Sequence, residues 1–173
     1  SWTHAGKDQL YNHLTGTLEE LNLEPSGEFD NPGWLTSERI LVKSHDGVEV
    51  PLSLIYRKGL KLDGKNPTLL SGYGSYGSVN GVGYYTSRLP WVEKGGVYAI
   101  AHVRGGGEFG KQWHLAGRMQ NKPNTWKDFI SCAEYLIREK YTSRNYLAGQ
   151  GGSAGGITIG RAITERPDLF QAA

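Results

Sequence analysis

The chain has 173 residues, enough for one medium domain with a real core or for one domain plus the fringe of another. Its formal charge is +2 with acids and bases interspersed, which argues against a nucleic-acid or membrane surface, and no apolar run reaches the ~18 residues of a membrane span. A single cysteine, Cys132, excludes an internal disulfide, and the 25 glycines gather around turns and not in a low-complexity tract, so disorder is not expected.

Residues 1 to about 36 read differently from the rest. Between Tyr11 and Leu23, Thr15-Gly16-Thr17 is a turn signal joining short extended pieces, and Glu24-Pro25-Ser26-Gly27 and Asn31-Pro32-Gly33 then read as linker. From Glu38 the pattern sharpens. Arg39–Lys43 and Glu49–Tyr56 are strands joined across His45-Asp46-Gly47, a hairpin signal. Asn66-Pro67-Thr68 has the outline of a glycosylation sequon but is blocked by its proline. Thr68–Ser71 and Val97–Val103 are short apolar runs bounded by glycine, as buried strands are. Asn124 or Thr125 is placed to cap a helix from Trp126 to about Glu139, with Phe129, Cys132, Ala133, Leu136 and Ile137 on one face. Cys132 on that face reads as a packed thiol. A hairpin followed by strand–helix–strand–helix predicts an α/β fold with a mostly parallel sheet.

The last strand–helix pair carries the chemistry. Asn145–Gly149 reads as a buried strand and Ile157–Glu165 as a helix, and Gly151-Gly152-Ser153-Ala154-Gly155 between them fits G-x-S-x-G. Strand, glycine-flanked serine and helix together are the context of a nucleophile elbow. The glycines are required where other backbone approaches too closely for a Cβ. On such a turn Ser153 stands clear of the sheet and the Ala154 N–H is free to donate to an oxyanion. The fold that uses this elbow supplies its partners in the order Ser, then acid, then His. All of the histidines, His4, His13, His45, His102 and His114, precede Ser153. Glu165 is twelve residues farther along the helix, roughly 18 Å away at about 1.5 Å per residue, too far for a relay. The expectation is the front part of a hydrolase, with the acid and base beyond Ala173.

Two further glycine patterns compete for attention. Gly72-Tyr73-Gly74-Ser75-Tyr76-Gly77 and Gly105-Gly106-Gly107-Glu108-Phe109-Gly110 each fit G-x-G-x-x-G after a strand, and Asp128 follows the second at a distance that suits a ribose-binding acid. Two such patterns beside an elbow are more economically glycine-rich loops of a hydrolase than nucleotide sites. At the same sheet edge Tyr73 is a candidate second oxyanion donor, although by local sequence alone loop packing is the favoured reading. His102, ending a strand there, reads as a half-buried structural histidine.

Those loops, with Arg104 before the second, Gly156 after the elbow and Arg166-Pro167-Asp168-Leu169-Phe170 near the end, resemble the prolyl oligopeptidase family of serine peptidases, on its oligopeptidase B side. The resemblance runs from roughly Glu38 to Ala173. It implies an α/β-hydrolase domain, here its N-terminal part over residues 37–173, and makes residues 1–36 the last strands of a seven-bladed β-propeller with a linker. It implies Ser153 as nucleophile, Ala154 and Tyr73 as oxyanion donors, and Tyr76 as an aromatic near the substrate's P1 side chain. No cofactor or metal is implied. The expected partners are short peptide substrates and the remainder of the same chain. The positions where oligopeptidase B enzymes carry acids after the Tyr-Gly pair are Gly81 and Gly83, so a basic-residue preference is not implied and post-proline or post-basic cleavage stays open. An esterase or dipeptidyl-peptidase relative and a non-catalytic peptide-binding protein are the alternatives. A cytoplasmic location is the expectation, although a chain opening on Ser1 carries no targeting inference. Leu169-Phe170 near the end are expected to be bare in the isolated piece.

Overall fold

The computed structural model describes residues 1–21, 23 and 25–173; Glu24 of the predicted linker lies outside them. Strands β1 (Gln9–Asn12) and β2 (Thr17–Glu20) form a separate antiparallel pair across the predicted turn at Gly16. The main sheet has the strand order β3-β4-β6-β5-β7, with β3 at Leu35–Lys43, β4 at Glu49–Arg57, β5 at Thr68–Gly72, β6 at Val97–Ala101 and β7 at Leu147–Gln150.

The predicted hairpin is present, with Val42 opposite Val50 and Leu35 opposite Arg57. Val50 to Ile55 form a buried run, as a strand covered on both faces demands. The sheet is mixed: β4 runs antiparallel to β6 as well as to β3, while β5 is parallel to both β6 and β7. Placing β5 between β6 and β7 brings the loops after β5, β6 and β7 to one edge. That edge is where open α/β sheets bind ligands.

Helix α1 spans Leu89–Glu93, α2 Lys111–Leu115, α3 Pro123–Arg138 and α4 Gly155–Glu165. Phe129, Cys132, Ala133 and Leu136 of α3 are fully buried against Leu52, Leu54, Leu70 and Leu147, which confirms the predicted face and the packed thiol. Burial of a Phe or Leu side chain stabilises by about 1.5–3 kcal/mol. The opposite sheet face is covered by α1 through Leu89 and Val92, which meet Leu35, Ile55 and Ile100.

Several boundaries differ from expectation. Helix α3 begins at Pro123, with Lys122 in the cap position and no capping side chain. Asn124 and Thr125 do not cap it, because tertiary acceptors claim their side chains: Asn124 Nδ2 donates to Ala116 O and Thr125 Oγ1 to Arg104 O. Proline at the first helical position needs no N–H partner and already has a helical φ. Strand β6 ends at Ala101, so His102 and Val103 lie beyond it. Leu169 and Phe170 are not bare. Leu169 is buried in the main core and Phe170 stacks on Phe129, ring centroids 6.0 Å apart.

Candidate active site

Ser153 occupies the bend between β7 and α4 and is exposed. Its backbone is left-handed, with φ +51. For a residue with a Cβ that conformation costs about 1–2 kcal/mol, and it persists only where neighbouring structure enforces it. The enforcement is visible in the glycines. A Cβ on Gly151 would lie 2.6 Å from Ile159 Cγ1 and 2.7 Å from Gly155 O, and one on Gly155 would lie 2.9 Å from Gly72 O. The strand, the bend and the first turn of α4 are therefore in backbone contact. Gly152 and Gly156 face open space and carry no such constraint.

Gly155 also brings in Tyr73. Its missing Cβ would sit 3.2 Å from Tyr73 Cδ2 and 3.4 Å from Tyr73 Cα, so the tyrosine lies directly against the first turn of α4. Thr158 Oγ1 of the same helix donates to Tyr73 O at 2.9 Å, and locks the loop after β5 to the elbow helix. Neither the Tyr73 hydroxyl nor the Ala154 N–H has a protein acceptor among the described residues. Tyr76, three residues on, is 78% exposed with φ +60, an aromatic presented to solvent in a strained conformation. The structure thus places Ser153, Ala154 and Tyr73 together, with Tyr76 on the same loop as Tyr73.

The loop after β6 supports the loop after β5. Gly77 N–H donates to Gly105 O at 3.0 Å and Gly107 N–H to Ser78 O at 3.2 Å. The approach is so close that a Cβ on Gly105 would stand 2.1 Å from Gly74 O. Arg104 anchors this layer. Its guanidinium donates to Asp128 through Nε at 2.9 Å and Nη2 at 2.6 Å, and to Asp46 through Nη1 at 2.5 Å. Burial alone would depress the Arg104 pKa, but the hydrogen bonds to Asp128 and Asp46 outweigh it and hold the charge firmly on. Asp46, in the β3–β4 turn, is pulled below the usual carboxylate range chiefly by its hydrogen bond from Arg104. Asp128 is fully buried in this network, so it is unavailable as the ribose-binding acid of a dinucleotide site.

His102 is more deeply buried than expected, 5% exposed. Its Nε2 lies 2.9 Å from Ser53 Oγ and its Nδ1 3.4 Å from Glu108 Oε1. Glu108 also accepts from the Asn80 N–H at 3.1 Å. Burial would raise the Glu108 pKa, but the His102 contact and backbone N–H donors more than compensate and lower it. None of the histidines hydrogen-bonds to Ser153 among the described residues.

A cavity of about 760 Å³ lies elsewhere, lined by His4–Asp8, Glu20, Leu21, Pro25–Glu28, Asp30 and Asn31. None of the left-handed residues lines it, and we attach no chemistry to it. Among the described residues there is no cluster of three or more His, Cys, Asp or Glu able to hold a metal ion, and no helix long and apolar enough to cross a membrane.

The prolyl oligopeptidase family matches residues 84–173, which hold the glycine loop after β6, the elbow and α4. This chain belongs to the prolyl oligopeptidase family. It is 43% identical over 163 residues to a prolyl endopeptidase of Elizabethkingia meningoseptica, covering 94% of this chain and 23% of that protein. Protease 2 of Moraxella lacunata is 42% identical over 161 residues, covering 92% of this chain and 23% of the relative. Among solved structures, oligopeptidase B from Trypanosoma brucei with covalently bound antipain superposes with a TM-score of 0.91 at 39% identity, over 100% of this chain and 24% of that one. The chain therefore spans about a quarter of the length of the relatives it matches. The fold is that of an α/β-hydrolase domain of this family, and the relatives are peptidases.

Thr158 and the Arg104–Asp128 pair are not singled out as parts of the site by sequence. Each works through a contact between residues far apart in the chain, which no local pattern announces.

Proposed function

We propose that the whole protein is a serine oligopeptidase that hydrolyses internal bonds of short peptides through an acyl-enzyme on Ser153. One observation carries this reading: an exposed serine held at φ +51 between strand and helix, with Tyr73 packed on the first turn of that helix. In this reading Ser153 Oγ attacks the scissile carbonyl and a histidine elsewhere in the whole protein accepts its proton, itself oriented by an acid. The Ala154 N–H and the Tyr73 hydroxyl, both without acceptors among the described residues, stabilise the negative charge of the tetrahedral intermediate. The leaving amine takes the proton from the histidine, and water releases the acyl group by the same steps. Tyr76 offers its ring beside the P1 side chain. Residues 37–173 are part of the catalytic domain, and residues 1–36 are the last propeller strands and linker. No carboxylate stands at Gly81 or Gly83 to favour a basic substrate, so P1 preference between proline and basic residues rests on the rest of the protein. A cytoplasmic location belongs to the same proposal.

The test is active-site labelling of the whole protein with a fluorophosphonate, followed by peptide mapping. Label on Ser153, abolished in Ser153→Ala, is the expected result. Tyr73→Phe lowers kcat by about 10²–10³-fold with little change in KM, as loss of one oxyanion donor does. Label on a different residue, or peptide turnover retained by Ser153→Ala, refutes the assignment.

A further inference from the structure

We propose that Lys122 is a positioning residue that holds Tyr73 in its working geometry as an oxyanion donor. The inference rests on the reading of Ser153 as nucleophile and Tyr73 as oxyanion donor.

Lys122 Nζ donates to Gly74 O at 2.6 Å and to Ser75 Oγ at 3.1 Å. Those two acceptors are the residues that separate Tyr73 from Tyr76. The remaining ties of residues 73–78, Thr158 Oγ1 to Tyr73 O, Ser78 N–H to Ser75 O, Gly77 N–H to Gly105 O and Gly107 N–H to Ser78 O, are all neutral. Lys122 therefore supplies the one charged clamp among the described contacts of the segment.

The surroundings make this lysine an unfavourable choice for stability alone. It is half-buried, and no carboxylate pairs with it among the described residues. It stands at the cap position of α3, a helix of 16 residues, where the positive end of the helix dipole disfavours a cation. Burial pulls its pKa below the ordinary lysine value. A neutral side chain of similar length would avoid all three penalties and still pack. What it would lose is a pair of charge-assisted hydrogen bonds on the Tyr73–Tyr76 loop. An oxyanion donor matters most when the carbonyl oxygen becomes an anion, so the effect of misplacing Tyr73 belongs to the transition state more than to peptide binding.

The experiment uses the whole protein, with Lys122→Met as the main variant and Lys122→Arg beside it. We expect Lys122→Met to lower kcat by about 10–100-fold with KM changed by less than about twofold, the scale of a mispositioned catalytic group. Affinity for a peptide aldehyde, which forms a tetrahedral adduct on the serine, falls in parallel with kcat/KM. Affinity for the uncleaved peptide, measured in the Ser153→Ala background, does not move. Lys122→Arg recovers part of kcat. Unchanged kcat, or a rise in KM with kcat preserved, overturns the proposal. Should Lys122→Met fail to fold, Ser75→Ala removes one acceptor and leaves the ammonium in place. A kcat about 3–10-fold lower at constant KM then supports the clamp, and wild-type kcat overturns it. Fluorophosphonate labelling of the wild type separates this test from the underlying one: no label on Ser153 sinks the nucleophile reading, whereas label with a wild-type-like Lys122→Met sinks only the clamp.

Discussion

Asp128→Asn isolates the charge that holds the glycine layer under the site. The Asp128 carboxylate is fully buried and accepts from Ser44 Oγ at 2.6 Å, from Arg104 N–H at 3.0 Å, and from Arg104 Nε and Nη2. Asparagine keeps the shape but turns one oxygen into a donor. If its remaining oxygen stays with Arg104 N–H and Nε, the NH₂ group faces Nη2, donor against donor. In the flipped amide the N–H and Nε contacts fail instead. Either way at least one charge-assisted bond is lost, about 1.5–3 kcal/mol, and the Arg104 charge keeps only a partly exposed partner in Asp46. Breaking a buried pair from one side costs about 3–5 kcal/mol, and we expect about 3 kcal/mol here. Against a total domain stability of ~5–15 kcal/mol that is a large fraction. Urea unfolding followed by tryptophan fluorescence measures it as a lower midpoint at unchanged slope. Hydrogen exchange at the Gly77 amide should quicken as well, because its acceptor, Gly105 O, is carried by the residue next to Arg104. A loss below about 1 kcal/mol would refute the reasoning, since it would mean that Asp46 and solvent suffice for this arginine.

Two further outcomes follow from the same geometry. Gly155→Ala pushes a methyl to 2.9 Å from Gly72 O and 3.2 Å from Tyr73 Cδ2, so it should destabilise by about 1–3 kcal/mol and slow fluorophosphonate labelling of Ser153. Gly156→Ala, one residue on in the same helix and with no neighbour within 4 Å, should stabilise by about 0.5–1 kcal/mol and leave labelling unchanged; equal behaviour of the two variants in a thermal melt and labelling assay would contradict the contact. The lowered Glu108 pKa gives a pH signature. A carboxylate whose folded pKa lies below its unfolded one stabilises the fold above the unfolded pKa, and that contribution is lost as pH falls through the folded value. Glu108→Gln should therefore flatten the acid side of the stability–pH curve, measured as urea midpoints across the carboxylate range, and an unaltered slope would show that Glu108 titrates alike folded and unfolded.

What was legible in the sequence was what local physics writes into it. The β3–β4 hairpin follows from a turn signal between two strand-like runs, the buried face of α3 from helical spacing, and the elbow from a glycine-flanked serine between strand and helix. The start of α3 was misread because Asn124 and Thr125 look like caps in isolation; in the fold their side chains serve Ala116 O and Arg104 O. Leu169 and Phe170 looked bare because the aromatic that receives Phe170, Phe129, lies about forty residues earlier. Tyr73 was ambiguous for the same reason. Its neighbour is Gly155, and only the parallel pairing of β5 with β7 brings the two together.

The strained residues show how the layers depend on one another. Among the described residues, four non-glycine residues have positive φ: Tyr76, Met119, Lys140 and Ser153. Lys140 follows α3 at the position where a left-handed residue commonly ends a helix. Tyr76 and Ser153 have no such local reason, and each lies on a loop or bend that other elements press into place. For Ser153 the pressure is local packing at Gly151 and Gly155. For Tyr76 it comes from farther away, through Lys122 on one side of the loop and the Gly105–Gly107 backbone, carried by Arg104, on the other. The two strains are therefore separable. Loss of the Arg104–Asp128 pair should relax Tyr76 while the Ser153 bend survives, whereas Gly155→Ala should disturb the bend and Tyr73 first. Structures of the two variants that showed the same loop moving in both would remove the distinction, and with it the view that Ser153 and Tyr76 are held by different parts of the sheet edge.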